Sequence, residues 1–445
     1  MKEYDVVIIG AGPGGYETAL KVAASGKKTL LIDRAKENIG GICLNVGCIP
    51  TKNYLESAVF LSRVPYFQEC GALLQNNGFD IQKLREKTLA LVKEIRSGVV
   101  WMLDQAKVEL LYGNATFINA DTIEVSGEKV SFNKCVIATG SYARELSNLS
   151  FDSKHILSST DIFKLQKLPK SIAIVGGGPI ACEFATFFNA LGVEVTMIVR
   201  GTQLLSKEDE DISKALLRAF KKRNINVLLS TTVLKSEVGN KSIKLLLGSQ
   251  ENIESEIVLN ASGRIPNTNK LNLENADITL DEKGFIKVSA SFETSQENIY
   301  AIGDCINTPA LAHIAYAEAR ITAHNILNNT KTTNSHITPM AVFSNPPIAS
   351  CGLNQTKAKE KGIDTNVKKV YFKVNAKAKI HGDDAGFIKI ITNAKNGVIL
   401  GASIIGVEAT EIIHEIVVAV EEQLTMKEVE EIIHIHPSVS EIIRY

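Results

Sequence analysis

Two cysteines, Cys43 and Cys48, stand in the stretch GGICLNVGCIPTK at 40–52. A separation of five is neither the spacing of a zinc ribbon nor that of a CxxC redox motif. No second cysteine or histidine cluster lies nearby in sequence to complete a metal site, so no metal ligand set is expected. The chemistry open to such a pair is thiol–disulfide exchange. On a regular helix, residues five apart have α-carbons about 8–9 Å apart. That exceeds the ~7 Å limit for a disulfide, so a bond between them needs an irregular backbone, for which Gly47 and Pro50 supply the means. Lys52 follows Cys48 by four residues, where one helical turn brings a cation toward the sulfur and favours thiolate. The plainer alternative is two buried cysteines; the flanking glycines weigh against it. A second cluster closes the chain as HIHPSVSE at 434–441. Pro437 pushes His436 toward extended geometry, which puts His434 and His436 on one face. With no third ligand at suitable spacing, a metal site is not expected there either. Ser438 to Glu441 fits a helix capping box.

These groups need a scaffold, and the chain supplies one twice. Residues 5–9 (DVVII) read as a buried parallel strand, Gly10-Ala11-Gly12-Pro13-Gly14-Gly15 as a turn, Tyr16 to Ser25 as a helix, and Lys28 to Ile32 as the next strand, ending at Asp33. The pattern recurs 166 positions later: strand Ser171 to Val175, turn Gly176-Gly177-Gly178-Pro179-Ile180-Ala181, helix Cys182 to Leu191, strand Glu194 to Val199. Pro13 and Pro179 coincide, as do Glu17 and Glu183. Each turn lets the backbone approach a pyrophosphate seated on a helix N-terminus. Two turns at matched offsets therefore imply two bound dinucleotides. In the first, Gly10, Gly12 and Gly15 take the motif positions, and Asp33, 23 residues after Gly10, suits the ribose hydroxyls of an adenosine. In the second, Gly176, Gly178 and Ala181 take those positions, but offset 23 falls on Val199, followed by Arg200. Loss of the acid removes the acceptor that selects NAD, and an arginine can meet a 2′-phosphate. Arg34 fills the equivalent slot of the first unit, so Arg200 is equally readable as a solvated strand-end charge, and NAD and NADP both stay open.

Further strands are expected at Lys134 to Thr139 before Gly140, Ile257 to Ala261 before Ser262-Gly263, and Ile299 to Ile302 before Gly303-Asp304. Helices are expected near 80–105, 208–223 and 311–328, and a polar linker at 329–335. Beyond it Val367 to Val374, Gly386 to Thr392 and Val398 to Ile405 read as strands and Glu411 to Gln423 as a helix, an α+β module with no nucleotide turn. The fold class is thus α/β: two doubly wound nucleotide-binding domains plus a C-terminal α+β domain, divided at 1–150, 151–265, a central segment 266–335, and 336–445. At roughly 150 residues per domain, 445 residues suit about three domains. Lysine plus arginine is 49 and aspartate plus glutamate is 49, a balance unlike that of a dedicated nucleic-acid binder. No apolar run of about 18 residues suggests a membrane span, and the N-terminus lacks a signal-peptide pattern. An odd seven cysteines is no disulfide framework, so a reducing, cytoplasmic location is expected.

GGICLNVGCIPTK, together with the two turns, resembles the flavin-dependent pyridine nucleotide-disulfide oxidoreductases across essentially the whole chain. CVIATGS at 135–141 is similar to the family segment beside the flavin, ASGRIPN at 261–267 to its GRxPN segment, and TSQENIYAIGD at 294–304 to the segment whose aspartate binds the ribityl chain. Leu311-Ala312-His313 is similar to the segment against the flavin ring, and HPSVSE to the family's HPT-x-SE signature. The resemblance implies FAD in the first turn, with contacts from Gly10, Gly12, Gly15, Asp33, Arg34, Gly41, Ala115, Thr139, Gly140, Ser141, Gly263, Arg264, Gly303, Asp304, Leu311, Ala312 and His313. It implies the nicotinamide cofactor, NAD or NADP, in the second, with Gly176, Gly178, Ala181, Val199 and Arg200. It also implies that Cys48 is the sulfur next to the flavin and Cys43 the one that exchanges with substrate. Lys52 pairs with Glu183, and His436 is the acid–base oriented by Glu441, while His434 matches a non-catalytic upstream histidine. In the family the histidine comes from the partner subunit, which implies a homodimer through 336–445. The implied activity is oxidation of a protein-bound dihydrolipoyl group with NAD+. The chain opens at the FAD strand, so lipoyl domains are expected in trans, from a 2-oxo acid dehydrogenase or glycine cleavage complex; no nucleic-acid or membrane partner is expected. Pro179 stands where members carry tyrosine or valine, and Val199 where they carry an acid. Two alternatives follow: an NADPH-driven reductase of a disulfide such as glutathione, and a flavin-binding subunit without turnover. The presence of Cys43, Cys48, Lys52, Glu183, His436 and Glu441 together argues against the second.

Overall fold

The computed structural model describes residues 1–73 and 78–445. The backbone forms two compact units, each drawn from separate stretches of chain. The first comprises Met1–Thr51, Lys83–Arg144 and Gly263–Ser335, and the second Lys52–Gln82, Glu145–Ser262 and His336–Tyr445.

The first unit is built on a seven-stranded sheet with Lys2–Ile9 inside it, flanked by Thr29–Asp33 and Glu128–Ile137 in parallel register, Ile8 lying beside both Leu31 and Val136. Glu109–Tyr112 adds in parallel beyond Thr29–Asp33. Thr122–Val125 and Ala115–Phe117 extend the other flank antiparallel. Ile299–Ala301 also pairs with Glu128–Ile137, Tyr300 opposite Val136, so the chain returns to this sheet after building much of the second unit. The run Val6 to Ile9 is buried on both faces, which is why it reads as continuous β-branched sequence. The core continues through Leu30, Leu31, Val136, Ile137, Ile299 and Ile302.

The second unit holds a five-stranded parallel sheet ordered Asn226–Leu228, Glu194–Ile198, Ser171–Val175, Ile257–Asn260, Ile156–Leu157. Its first strand in sequence after the edge strand, Ser171–Val175, sits where the strand order reverses, the place where such sheets take ligands. An antiparallel three-stranded sheet, 233–255, packs with it through Val233, Ile243, Leu245 and Leu247. The C-terminal module is an antiparallel five-stranded sheet, Met340–Val342, Ile348–Gly352, Ile399–Ile405, Phe387–Asn393 and Thr365–Tyr371 in spatial order, covered by helix Ala409–Glu421 through Ile412, Ile413 and Ile416. Among the described residues no helix is long and apolar enough to cross a membrane.

Strand and helix positions follow the sequence reading closely where the hydrophobic period is clean, as at Ser171–Val175. Helix Cys48–Glu69 was not anticipated at its full length: its apolar residues keep no steady spacing, and Pro65 lies inside it. The short strands between 109 and 125 and between 233 and 255 were missed as well, since three to five residues leave little alternation to read.

Candidate functional site

In the first unit, strand Lys2–Ile9 delivers the glycine turn at its carboxyl end, and helix Pro13–Ala23 starts on it. A Cβ on Gly15 would lie 1.7 Å from the Gly10 carbonyl oxygen, so the third position admits no side chain. Gly12 is different: the nearest atom to a Cβ there is Gly41 Cα at 3.8 Å, which leaves its outer face open. Asp33 ends the adjoining strand and accepts from the backbone N–H of Ala11 at 2.8 Å and of Arg34 at 2.7 Å. Ala115 is buried in its strand. Gly140 leads into Ser141, whose hydroxyl donates to Asp304 at 2.6 Å. Gly263 precedes Arg264, whose guanidinium reaches the Ser141 hydroxyl (2.7 Å), the Ser141 carbonyl (2.6 Å) and the Asp304 carboxylate (3.6 Å). Burial pulls that guanidinium below its ordinary range, and Asp304 opposes the shift. The Gly303 N–H donates to Glu318 at 2.6 Å. Burial raises this carboxyl above its usual range. Leu311 caps helix Ala312–Asn328, which begins with Ala312 and His313. The Thr139 hydroxyl is buried with no hydrogen-bond partner. An open glycine cradle, a strand-end acid and an orphaned hydroxyl suit a bound flavin dinucleotide.

Cys43 lies in helix Gly41–Val46 and Cys48 opens helix Cys48–Glu69, both half-buried. The expected irregularity sits between them at Gly47, where a Cβ would fall 2.8 Å from the Ile42 carbonyl oxygen. Pro50 takes no part in the break. It occupies the first turn of the second helix, where a missing N–H costs nothing. Thr51 ties the new helix to Gly47 through its hydroxyl at 2.6 Å and its N–H at 3.0 Å, and Asn45 holds the short helix through Ile39 and Gly41. Tyr16 and Tyr316, which the sequence reading passed over, share a hydroxyl–hydroxyl hydrogen bond with rings edge-on at 5.8 Å. Burial raises both phenols, and the charge of Cys43 adds to this, so they stay protonated donors. Their signal was positional only: Tyr16 follows the first turn and Tyr316 lies one helical turn after Ala312-His313.

In the second unit the turn at Gly176 repeats the design. Ala181 is fully buried against the sheet, and a Cβ on Gly178 would meet nothing within 4 Å. Val199 is buried at the acid position and Arg200 is exposed. About one turn into helix Pro179–Ala190, Glu183 is 5% exposed and takes the Lys52 ammonium on both carboxylate oxygens at 2.8 Å. The Phe343 N–H donates to the same carboxylate at 3.1 Å, and the Phe343 ring lies 4.6 Å under the ammonium. Phe343 carried no motif and could not be found from sequence.

His436 and Glu441 are brought together. Nδ1 of His436 lies 3.0 and 3.2 Å from the two carboxylate oxygens, and the Ser438 N–H donates to Glu441 at 2.9 Å. Only half of the expected capping box forms: Glu441 accepts from the Ser438 N–H, while Val439 takes the N-cap position and the Ser438 hydroxyl makes no hydrogen bond. The Ser438 amide and then the imidazole hold the Glu441 carboxylate below the usual range. The Glu441 side chain is 7% exposed and that of His436 72%. His434 does not share its face. With 5% of its side chain exposed, it bonds Glu415 through Nε2 at 2.7 Å and the Ile432 carbonyl through Nδ1 at 3.0 Å. The same-face expectation assumed a regular strand, and this segment is irregular. Among the described residues no acid, histidine and cysteine cluster could hold a metal ion. Of the residues singled out, Cys43, Cys48, Asp33 and Asp304 belong to the first unit, and Lys52, Glu183, His436 and Glu441 to the second.

Residues 4–319 match the pyridine nucleotide-disulphide oxidoreductase family, and residues 338–445 match its dimerisation domain. The chain is 34% identical to the dihydrolipoyl dehydrogenase of Geobacillus stearothermophilus, covering 99% of this chain and 94% of that one, and 35% identical to that of Chlamydia muridarum, covering 99% and 95%. Its fold superposes on LpdA of Mycobacterium tuberculosis with a TM-score of 0.92 at 25% identity, over 100% of this chain and 98% of the other. It superposes on the HOCl-induced flavoprotein disulfide reductase RclA of Escherichia coli with a TM-score of 0.90 at 27% identity, over 99% and 98%. With doubly wound sheets, paired glycine turns and a dimerisation domain all in place, the chain belongs to the pyridine nucleotide-disulphide oxidoreductases, enzymes that use FAD and a nicotinamide nucleotide.

Proposed function

We propose that this chain is a dihydrolipoyl dehydrogenase, oxidising protein-bound dihydrolipoyl groups supplied by a partner complex. The observation that carries the reading is the exposed His436 imidazole held at Nδ1 by the buried Glu441 carboxylate, in a chain that also places Cys43 and Cys48 across a helix break. A dihydrolipoyl thiol is mostly protonated at neutral pH, so a base must take its proton before the sulfur can attack. With Nδ1 committed to Glu441, the other ring nitrogen of His436 is the acceptor, and the carboxylate stabilises the imidazolium that forms. The thiolate attacks Cys43 Sγ of a Cys43–Cys48 disulfide. That S–S bond breaks and Cys48 leaves as thiolate. The second substrate sulfur then attacks the mixed disulfide, so lipoyl disulfide departs and Cys43 is reduced. Substrate loses two electrons and the enzyme disulfide gains them. Bound FAD supplies the two-electron transfer from the dithiol to the nicotinamide nucleotide. Lys52 and Glu183 hold one charge pair at fixed geometry, which in this reading stands near the flavin.

His436 acts on the cysteines of the partner copy in this reading. Its support is the exposure of the ring in the single chain together with that of its neighbours, Ile433 at 94% and Ile435 at 82%, beside a dimerisation domain. A second reading, NADPH-driven reduction of a small disulfide, is favoured by Val199 and Arg200. Purified enzyme assayed with dihydrolipoamide against glutathione disulfide separates the two. The proposal expects lipoamide turnover that drops about 10²- to 10⁴-fold in His436→Ala. Turnover of glutathione disulfide with none of lipoamide would sink it.

A further inference from the structure

The two glycine turns share one plan, and among the positions at which they differ is one pair that sits side by side. In the first, the Ala11 N–H donates to the Asp33 carboxylate at 2.8 Å. The equivalents 166 residues later are Gly177 and Val199. A Cβ on Gly177 would lie 2.6 Å from Val199 Cγ1, so the valine branch leans over the second turn and leaves room only for glycine beneath it. The valine is 3% exposed, and its backbone is fixed by bonds to Leu228 (2.8 Å) and Thr231 (3.2 Å). Acids further along are engaged elsewhere. Glu208 accepts from Ser350 at 2.7 Å, Asp209 and Asp211 take the Lys389 ammonium, and Glu210 pairs with Lys214. The segment that follows the strand is drawn over the turn, because the Leu205 N–H donates to the Gly177 carbonyl at 2.8 Å and Ser213 holds the Leu204 carbonyl at 2.6 Å. The charge that this segment carries at the strand end is Arg200, and it is exposed. Arg34 has the same slot in the first turn, but there Asp33 precedes it and would repel a phosphate. It is the arginine without the acid that discriminates.

We infer that the second cradle selects the 2′-phosphorylated nicotinamide dinucleotide, with Arg200 meeting the phosphate and Val199 replacing the carboxylate that would hold an unphosphorylated ribose. The inference rests on the second turn being the nicotinamide site of the proposed enzyme. Isothermal titration of the full-length, FAD-loaded chain with NADP+ and with NAD+ tests it without turnover. NADP+ binds at least about tenfold tighter, the scale of one charge-assisted contact. Arg200→Gln removes that advantage while leaving NAD+ affinity unchanged, and Val199→Glu reverses the ranking. Equal or tighter NAD+ binding in the unmodified chain, or an unchanged NADP+ affinity in Arg200→Gln, overturns the inference. If lipoamide turnover is intact in that case, the proposed activity survives it. Failure of both nucleotides to bind a chain that retains FAD overturns the reading of the second turn and the inference together.

Discussion

Glu441 is the residue on which two local demands meet. It closes the turn before 3-10 helix Ser440–Ile443 by accepting from the Ser438 N–H, and it holds Nδ1 of His436. Both contacts favour its charged form, and its value when folded lies below the ordinary glutamate value of 4.5. The stabilisation is therefore complete above the ordinary value and is lost as pH falls through the depressed one. Hydrogen exchange at the Ile442 amide, which bonds back to Val439, is expected to lose protection on acidification below that range. Glu441→Gln is expected to show no such pH step. The bond from the Ser438 amide to Glu441 was readable from spacing, though the Ser438 hydroxyl returns no cap; the histidine contact was implied only by the family resemblance, since His436 reaches Glu441 through an irregular segment. Lys52 and Glu183 were likewise pairable only through the family resemblance. They lie 131 positions apart and nothing in their local sequence pairs them, yet an acid 5% exposed in a helix requires a cation or a shifted proton.

At the scale of elements, the glycine turns separate positions that the fold needs from positions that a ligand needs. Gly15 has no room for a methyl group, since its Cβ would meet a carbonyl oxygen at 1.7 Å. Gly178 has room on every side. Gly15→Ala is expected to yield misfolded or FAD-free protein, measured as loss of flavin absorbance in the purified chain. Gly178→Ala is expected to keep flavin and melting temperature while weakening nicotinamide nucleotide binding, because a methyl group there competes only with an approaching pyrophosphate. Both turns were legible because strand, glycine spacing and helix are contiguous in sequence. The break at Gly47 was legible as a need, from the spacing of Cys43 and Cys48, but not in detail: Pro50 looked equally suited to it until the helix was seen to start at Cys48.

For the whole molecule, the proposed reaction needs two copies of the chain, and hybrids test this directly. If His436 serves the partner's cysteines, a random mixture of Cys43→Ser and His436→Ala chains regains about a quarter of the wild-type turnover, since half the dimers are hybrids with one complete site each. If it serves its own chain, every site in the mixture carries a defect and activity stays at the level of the single variants. The sequence by itself determined the two dinucleotide turns, the cysteine pair, the α+β character of the C-terminal part and the family. Those rest on residues a few positions apart, whose spacing is read directly as strand, turn or helix. The pairing of Lys52 with Glu183 came from the family resemblance, and only the tertiary structure decided which other distant groups meet: Ser141 with Arg264 and Asp304, Tyr16 with Tyr316, and Val199 over Gly177. It also showed that the sheet of the first unit is completed by Ile299–Ala301 after a long excursion of the chain. Such contacts arise from the packing of whole elements, and packing depends on the shape of every neighbour at once, which no local period records.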